Sequence, residues 1–138
     1  MADTAYDLML QAFLAGTYDL GSASVKLMLV HIGAGHYVPD FTTDQYITVI
    51  ASGDQIAISP ALTSVTLTDG VFNAANTAFA AVASGPAAGA LVIFIDTGTP
   101  STSPLIAYID SYSGLPVTPS GSNIDVSFTG SGIFILNG

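Results

Sequence analysis

Apolar residues recur with a helical period at the start of this chain and with strand-like patterns nearly everywhere after it. In residues 4–15, TAYDLMLQAFLA, the polar positions Thr4, Asp7 and Gln11 are spaced three and four apart on one narrow stripe. Tyr6, Leu8, Met9, Leu10, Phe13 and Leu14 cover the rest of the circumference. Asp3 and Thr4 are candidate N-caps, Asp7 falls in the first turn, and Gly16 follows the last periodic residue, so the pattern predicts an N-terminal helix over 4–15. A helix that apolar needs packing partners on more than one side. One of them is expected in another subunit, with Tyr6, Leu10, Phe13 and Leu14 as the candidate partner interface, which predicts a homo-oligomer.

After Gly21 the run Ser24–Ile32 is rich in Val, Leu and Ile and ends at Gly33-Ala34-Gly35, the pattern of a strand entering a turn. Residues 42–51 predict a second short helix capped by Thr43, although Ile47-Thr48-Val49-Ile50 is locally strand-like. From Ile56 onward short apolar runs alternate with turn clusters: Leu62–Thr68, the Asp69-Gly70 turn, Val71–Asn73, Ala78–Val82, Ala90–Ile95, Leu105–Asp110, Ile124–Phe128 and Ile133–Leu136. In Ala90–Ile95 and Leu105–Tyr108 both faces are apolar, so these strands should be covered on two sides and form the centre. Ile124, Val126 and Phe128 alternate with Asp125 and Ser127, which predicts one wet face there. Strands at this spacing, without helices between them, predict a mainly β (α+β) fold. The expected architecture is an antiparallel β-sandwich or flattened barrel with the N-terminal helix and the second short helix. With 138 residues and no internal repeat or linker, the whole chain 1–138 reads as one domain, predominantly β over 24–138.

Charge narrows the function. Lys26 is the only cation, all ten acidic residues are Asp, and the formal net charge is −9. One lysine cannot neutralise a row of phosphates, which argues against nucleic-acid, polyanion and acidic-membrane binding. Cysteine is absent, so no disulfide or thiolate metal site contributes. The longest apolar stretch, Ala87–Ile95, falls far short of a membrane span, and the first sixteen residues carry no Lys or Arg of the kind that opens a secretory signal. Synthesis and assembly in a cytoplasm are therefore expected.

Candidate chemistry is sparse. His31 and His36 are the only imidazoles, and their spacing of five matches neither the i, i+4 helical pair nor a zinc motif. Neither Ser84-Gly85-Pro86 nor Gly130-Ser131-Gly132 has the spacing of a nucleophile elbow, and Val38 stands where a dinucleotide loop opened by Gly33-Ala34-Gly35 would need its third glycine. The aspartates form no calcium loop; Asp40 with Asp44, and Asp96 with Asp110, are the pairs closest to one. These residues read as turn formers, caps and solubilising groups, and the sequence predicts no catalytic residue, no cofactor and no metal.

The segment GALVIFIDTGTPSTSPLIAYIDSYSGLPVTPSGSNIDVSF resembles a small family of tailed-bacteriophage virion proteins. Three elements carry the likeness: an apolar strand ending in an Asp-containing turn (Ala90–Asp96), a Ser-Pro-Leu-Ile-Ala-Tyr strand (Ser103–Asp110), and a Gly-Leu-Pro-Val-Thr-Pro turn (Gly114–Pro119). The N-terminal half is similar too, with a helix, a glycine, Tyr18-Asp19-Leu20, then Val25-Lys26-Leu27-Met28-Leu29-Val30; the low charge of this chain departs from the pattern. The resemblance implies a virion structural protein, not an enzyme. Its implied role is a capsid decoration or cement protein on the head, bound to the major capsid protein or other virion proteins. A tail, neck or fibre-attachment component is the alternative. From a different class, a carbohydrate- or receptor-binding β-sandwich would need exposed aromatics, and Trp is absent while Tyr37, Tyr108 and Tyr112 form no obvious platform in the sequence. Composition agrees with a lattice protein, since half of the residues are hydrophobic, 8% are charged, and the mean hydropathy is +0.62.

Overall fold

Six consecutive apolar residues, ALVIFI, become the central strand of the molecule. The computed structural model describes residues 4–68, 71–112, 114–128 and 134–135. Its strands in chain order are β1 (Thr4–Ala5), β2 (Val25–Val30), β3 (Gln55–Ile58), β4 (Thr66–Thr68), β5 (Val71–Asn73), β6 (Thr77–Phe79), β7 (Ala90–Ile95), β8 (Leu105–Ile109), β9 (Ile124–Val126) and β10 (Phe134–Ile135). One α-helix, α1 (Asp7–Leu14), follows β1. The main sheet has five antiparallel strands in the order β1-β8-β7-β2-β3.

Every residue of β7 and β8 is buried, as a strand apolar on both faces requires. Opposed residues of an antiparallel pair share a face, so Met28, Val92 and Tyr108 project together, and over them lie the rings of Phe41 and Tyr37, 5.9 and 6.4 Å from Tyr108. Leu29 and Leu91, on the opposite face, share an apolar pocket of about 190 Å³ with Leu115, Val117 and Ile124. Burying each large side chain contributes roughly 1.5–3 kcal/mol, so this doubly covered sheet holds most of the stabilising free energy. Lys26 interrupts the apolar run of β2. Its Nζ lies 2.6 Å from Asp96 Oδ2 just beyond the end of β7, which pairs the charge instead of burying it alone.

Two smaller sheets flank the main one, β10-β5-β4 and β6-β9. Among the described side chains, the buried anchors are Phe72 in the first and Phe79 and Val126 in the second. Around Val126 the expected alternation holds, with Asp125 and Ser127 exposed. The fold is thus mainly β with one α-helix, and among the described residues no barrel closes: β1 and β3 are free edges of the main sheet.

Three local expectations need correction. The helix spans Asp7–Leu14, not 4–15, because Thr4 and Ala5 pair with Tyr108 and Ala107 at the sheet edge. Tyr6, with extended φ and ψ of −77° and 134°, occupies the cap position without a side-chain cap bond; Asp3 lies outside the described residues. The C-terminal end is as expected: Gly16 has φ +74°, its N–H donates to Phe13 O, and Thr17 N–H donates to Ala12 O, the paired bonds that close a helix through a left-handed glycine. Residues 42–51 form no α-helix but a single 3₁₀ turn at Ile47–Val49, followed by another at Ser52–Asp54. The β-branched run disfavours α-helix, and a period of three suffices to turn both Ile47 and Ile50 inward. The Asp69-Gly70 and Gly130–Gly132 turns lie outside the described residues.

Candidate functional site

The four residues expected at a partner interface differ in exposure. Tyr6 is fully buried in its own chain, and its backbone N–H donates to Ile106 O at the sheet edge. Phe13 is half-buried against the core and Leu10 is half-buried, whereas Leu14 is 91% exposed. The wet stripe of α1 runs through Asp7, Gln11, Leu14 and Ala15, so Leu14 extends the polar stripe and is the one large apolar side chain of the helix that is mostly exposed, with Leu8 and Leu10 half-buried. The helix finds its other partners within its own chain, through Met9, Ala12 and Phe13.

Tyr6 instead ends a buried polar chain. Its hydroxyl lies 2.7 Å from that of Tyr37, and Tyr37 donates to Asp44 Oδ2 at 2.8 Å. Because Tyr37 has one proton and gives it to Asp44, Tyr6 must be the donor to Tyr37. Burial, reinforced by the Asp44 charge, pushes both hydroxyls far above the ordinary tyrosine value of about 10. Both stay neutral in any physiological medium and act as hydrogen-bonded struts between β1, the 37–44 segment and the sheet. Buried Tyr37 and Tyr108 cannot form an exposed aromatic platform with Tyr112.

Asp40, Asp44 and Asp96 are held by backbone amides of their own turns. Asp44 Oδ2 also accepts the Asp40 N–H, and Asp40 Oδ1 accepts the Thr42 and Thr43 N–H groups. The Thr43 side chain and the Thr42 amide hold the Asp40 carboxyl below its usual range. Asp96 and Asp110 follow antiparallel neighbours and therefore stand at opposite ends of the β7–β8 pair. Asp96 caps its own turn by accepting the Gly98 N–H. The buried serines are likewise committed: Ser59 Oγ accepts Leu27 N–H and donates to Pro60 O, and Ser103 Oγ donates to Thr99 O.

Both histidines converge at the exit of β2. There Gly33 and Gly35, with φ of +114° and +83°, turn the chain back so that Ile32 bridges to Tyr37 and His36 N–H donates to Gly33 O. This fold-back sets the His31 and His36 rings face to face, with centroids 3.7 Å apart. Gly89 makes room for it, because a Cβ there would come within 2.6 Å of Ile32 Cγ1. The strand next to β2 supplies the third member. Asp54, at the entrance to β3, accepts the His31 N–H at its backbone carbonyl, and its carboxylate Oδ1 lies 2.8 Å from His36 Nδ1. One ligand atom from each of His31, His36 and Asp54 lies within 4.8 Å of the other two, the one such grouping among the described residues. Sequence spacing alone does not suggest it. The usable signal is a two-glycine turn directly after a strand, which sets side chains five apart next to each other.

No known family model matches the chain, and no curated protein matches it either.

Proposed function

We propose that this chain is a structural protein of a tailed-bacteriophage virion, a decoration or cement protein that binds the major capsid protein and stabilises the head shell. The observation carrying this reading is where the resembling segments fall. Ala90–Asp96 and Ser103–Asp110 hold the two fully buried strands, β7 and β8, with their exits, and Val117 in the Gly114–Pro119 turn bridges to Ala88 at the entrance to β7. The likeness therefore coincides with the framework of the fold, not with a peripheral loop. Tyr6, Tyr37, the buried serines and most of the turn aspartates are spent on internal hydrogen bonds, as suits a rigid lattice component. Leu14, Leu67 and Val38 give it exposed apolar contact points.

Counting copies in purified particles tests the reading: hundreds per virion are expected for a head-decorating protein, a dozen or fewer would move it to the tail or neck, and absence would overturn it. Attachment through apolar contacts predicts retention when sodium chloride shortens the screening length from about 10 Å at 0.1 M to about 3 Å at 1 M. Release across that range would instead make the aspartates the gripping residues.

A further inference from the structure

We propose that His31, His36 and Asp54 form a site for one divalent transition-metal ion of the zinc class, with water completing the coordination on the exposed side of His36. The donor set is two imidazole nitrogens and one carboxylate oxygen, a combination that suits zinc, cobalt, nickel or copper and not the all-oxygen preferences of magnesium and calcium. Donor atoms about 2.0–2.2 Å from a common ion stand roughly 3–3.5 Å from each other. Here the three already lie within 4.8 Å, and His36 Nδ1 is 2.8 Å from Asp54 Oδ1, so small side-chain rotations suffice to close on an ion.

Three further features favour an ion over a plain His–Asp hydrogen bond. The frame is rigid where it must be: His31 follows a central-sheet strand, Asp54 is tied to it by a backbone hydrogen bond, and the His36 loop is pinned by the Ile32–Tyr37 bridge. Access is open where it must be, since the His36 side chain is 39% exposed and that of Asp54 only 13%. Lys26, the one Lys or Arg side chain, does not compete, because it sits at the other end of β2 and is paired with Asp96, while the net charge of −9 concentrates cations near the surface. The site does not depend on the virion reading, because it is complete within one chain.

The test uses tag-free, chelator-stripped protein titrated with zinc chloride and followed by calorimetry and by the imidazole NMR signals. The chain has only two histidines, so each ring can be followed separately. One zinc per chain is expected, with both rings shifting together, and His36→Ala and Asp54→Asn should each weaken binding by about tenfold or more. His36 is exposed, so its replacement leaves the fold intact, and the wild-type NMR readout stands even if Asp54→Asn does not fold. The proposal is overturned if ring signals stay fixed at about 1 mM zinc, if His36→Ala binds like the wild type, or if calcium or magnesium reproduces the shifts at equal concentration.

Discussion

β7 and β4 are both strands of antiparallel sheets, yet every residue of β7 is buried and every residue of β4 is exposed. Both satisfy backbone hydrogen bonds with a neighbouring strand, and such bonds contribute little net free energy because water replaces them in the unfolded chain. The difference lies in what the side chains leave behind. β7 removes apolar groups from water on two faces, whereas β4 rests on a partner strand anchored by Phe72. The main sheet should therefore open only with the whole molecule, while the β4–β5 pair can open locally.

The largest effect is expected in the centre. Phe94→Ala should cost about 3–5 kcal/mol in denaturant unfolding, a large share of the roughly 5–15 kcal/mol that a domain of this size commands. A loss below about 1 kcal/mol would mean that β7 is not the core it looks to be.

Next comes the polar strut on that sheet's face. Tyr37→Phe removes the acceptor of Tyr6 and one donor to Asp44, at an expected cost of about 1–3 kcal/mol. Because burial raises the Tyr6 and Tyr37 hydroxyls, their stabilising contribution is complete below the ordinary value of about 10 and is lost as pH rises through their folded-state values. Tyrosinate absorbance should accordingly leave both rings untitrated at about pH 11 until the protein unfolds. Smooth titration of all six tyrosines near pH 10 would contradict the buried pair.

A smaller effect belongs to the ion pair at the start of β2. Lys26, and then the Gly98 amide, hold the Asp96 carboxyl below its usual range. Its contribution is therefore present above the ordinary value of about 3.9 and is lost as pH falls through the folded-state value. Both side chains are partly solvated, so Asp96→Asn should cost no more than about 1 kcal/mol at neutral pH and nothing in strong acid. Smallest of all, Leu67→Ser in β4, where Leu67 is 51% exposed, should change stability by less than about 0.5 kcal/mol. In the same sample, β4 and β5 amides should exchange with solvent well before those of β7.

The same contrast explains which elements the sequence announces. Ala90–Ile95 and Leu105–Ile109 are legible because continuous apolar runs have one outcome, burial on two sides, whatever their partners are. Gly16 is legible because a left-handed closing residue is a local requirement. Thr4 and Ala5 mislead, since helix-capping chemistry is local while their pairing with Tyr108 and Ala107 bridges more than a hundred residues. Tyr6 misleads for a related reason: its place on an apolar helix pattern says nothing about the hydroxyl partner thirty-one residues away. The His31–His36–Asp54 grouping is invisible to motif spacing because a turn with two positive-φ glycines and an adjacent strand assemble it, not a helix or a metal-ligand repeat.

Placing the sole lysine within a strand of the main sheet has a practical consequence for detection. Trypsin has one cleavage site in the 138 residues, the Lys26–Leu27 bond inside β2, which is hydrogen-bonded on both sides by β3 and β7. Native protein should resist the enzyme, and even after denaturation residues 27–138 remain one fragment, too long for routine peptide sequencing. A particle inventory based on tryptic peptides would then undercount this chain or miss it. Counting its copies calls for chymotrypsin or an aspartate-directed protease, to which its six tyrosines, seven phenylalanines and ten aspartates offer many sites.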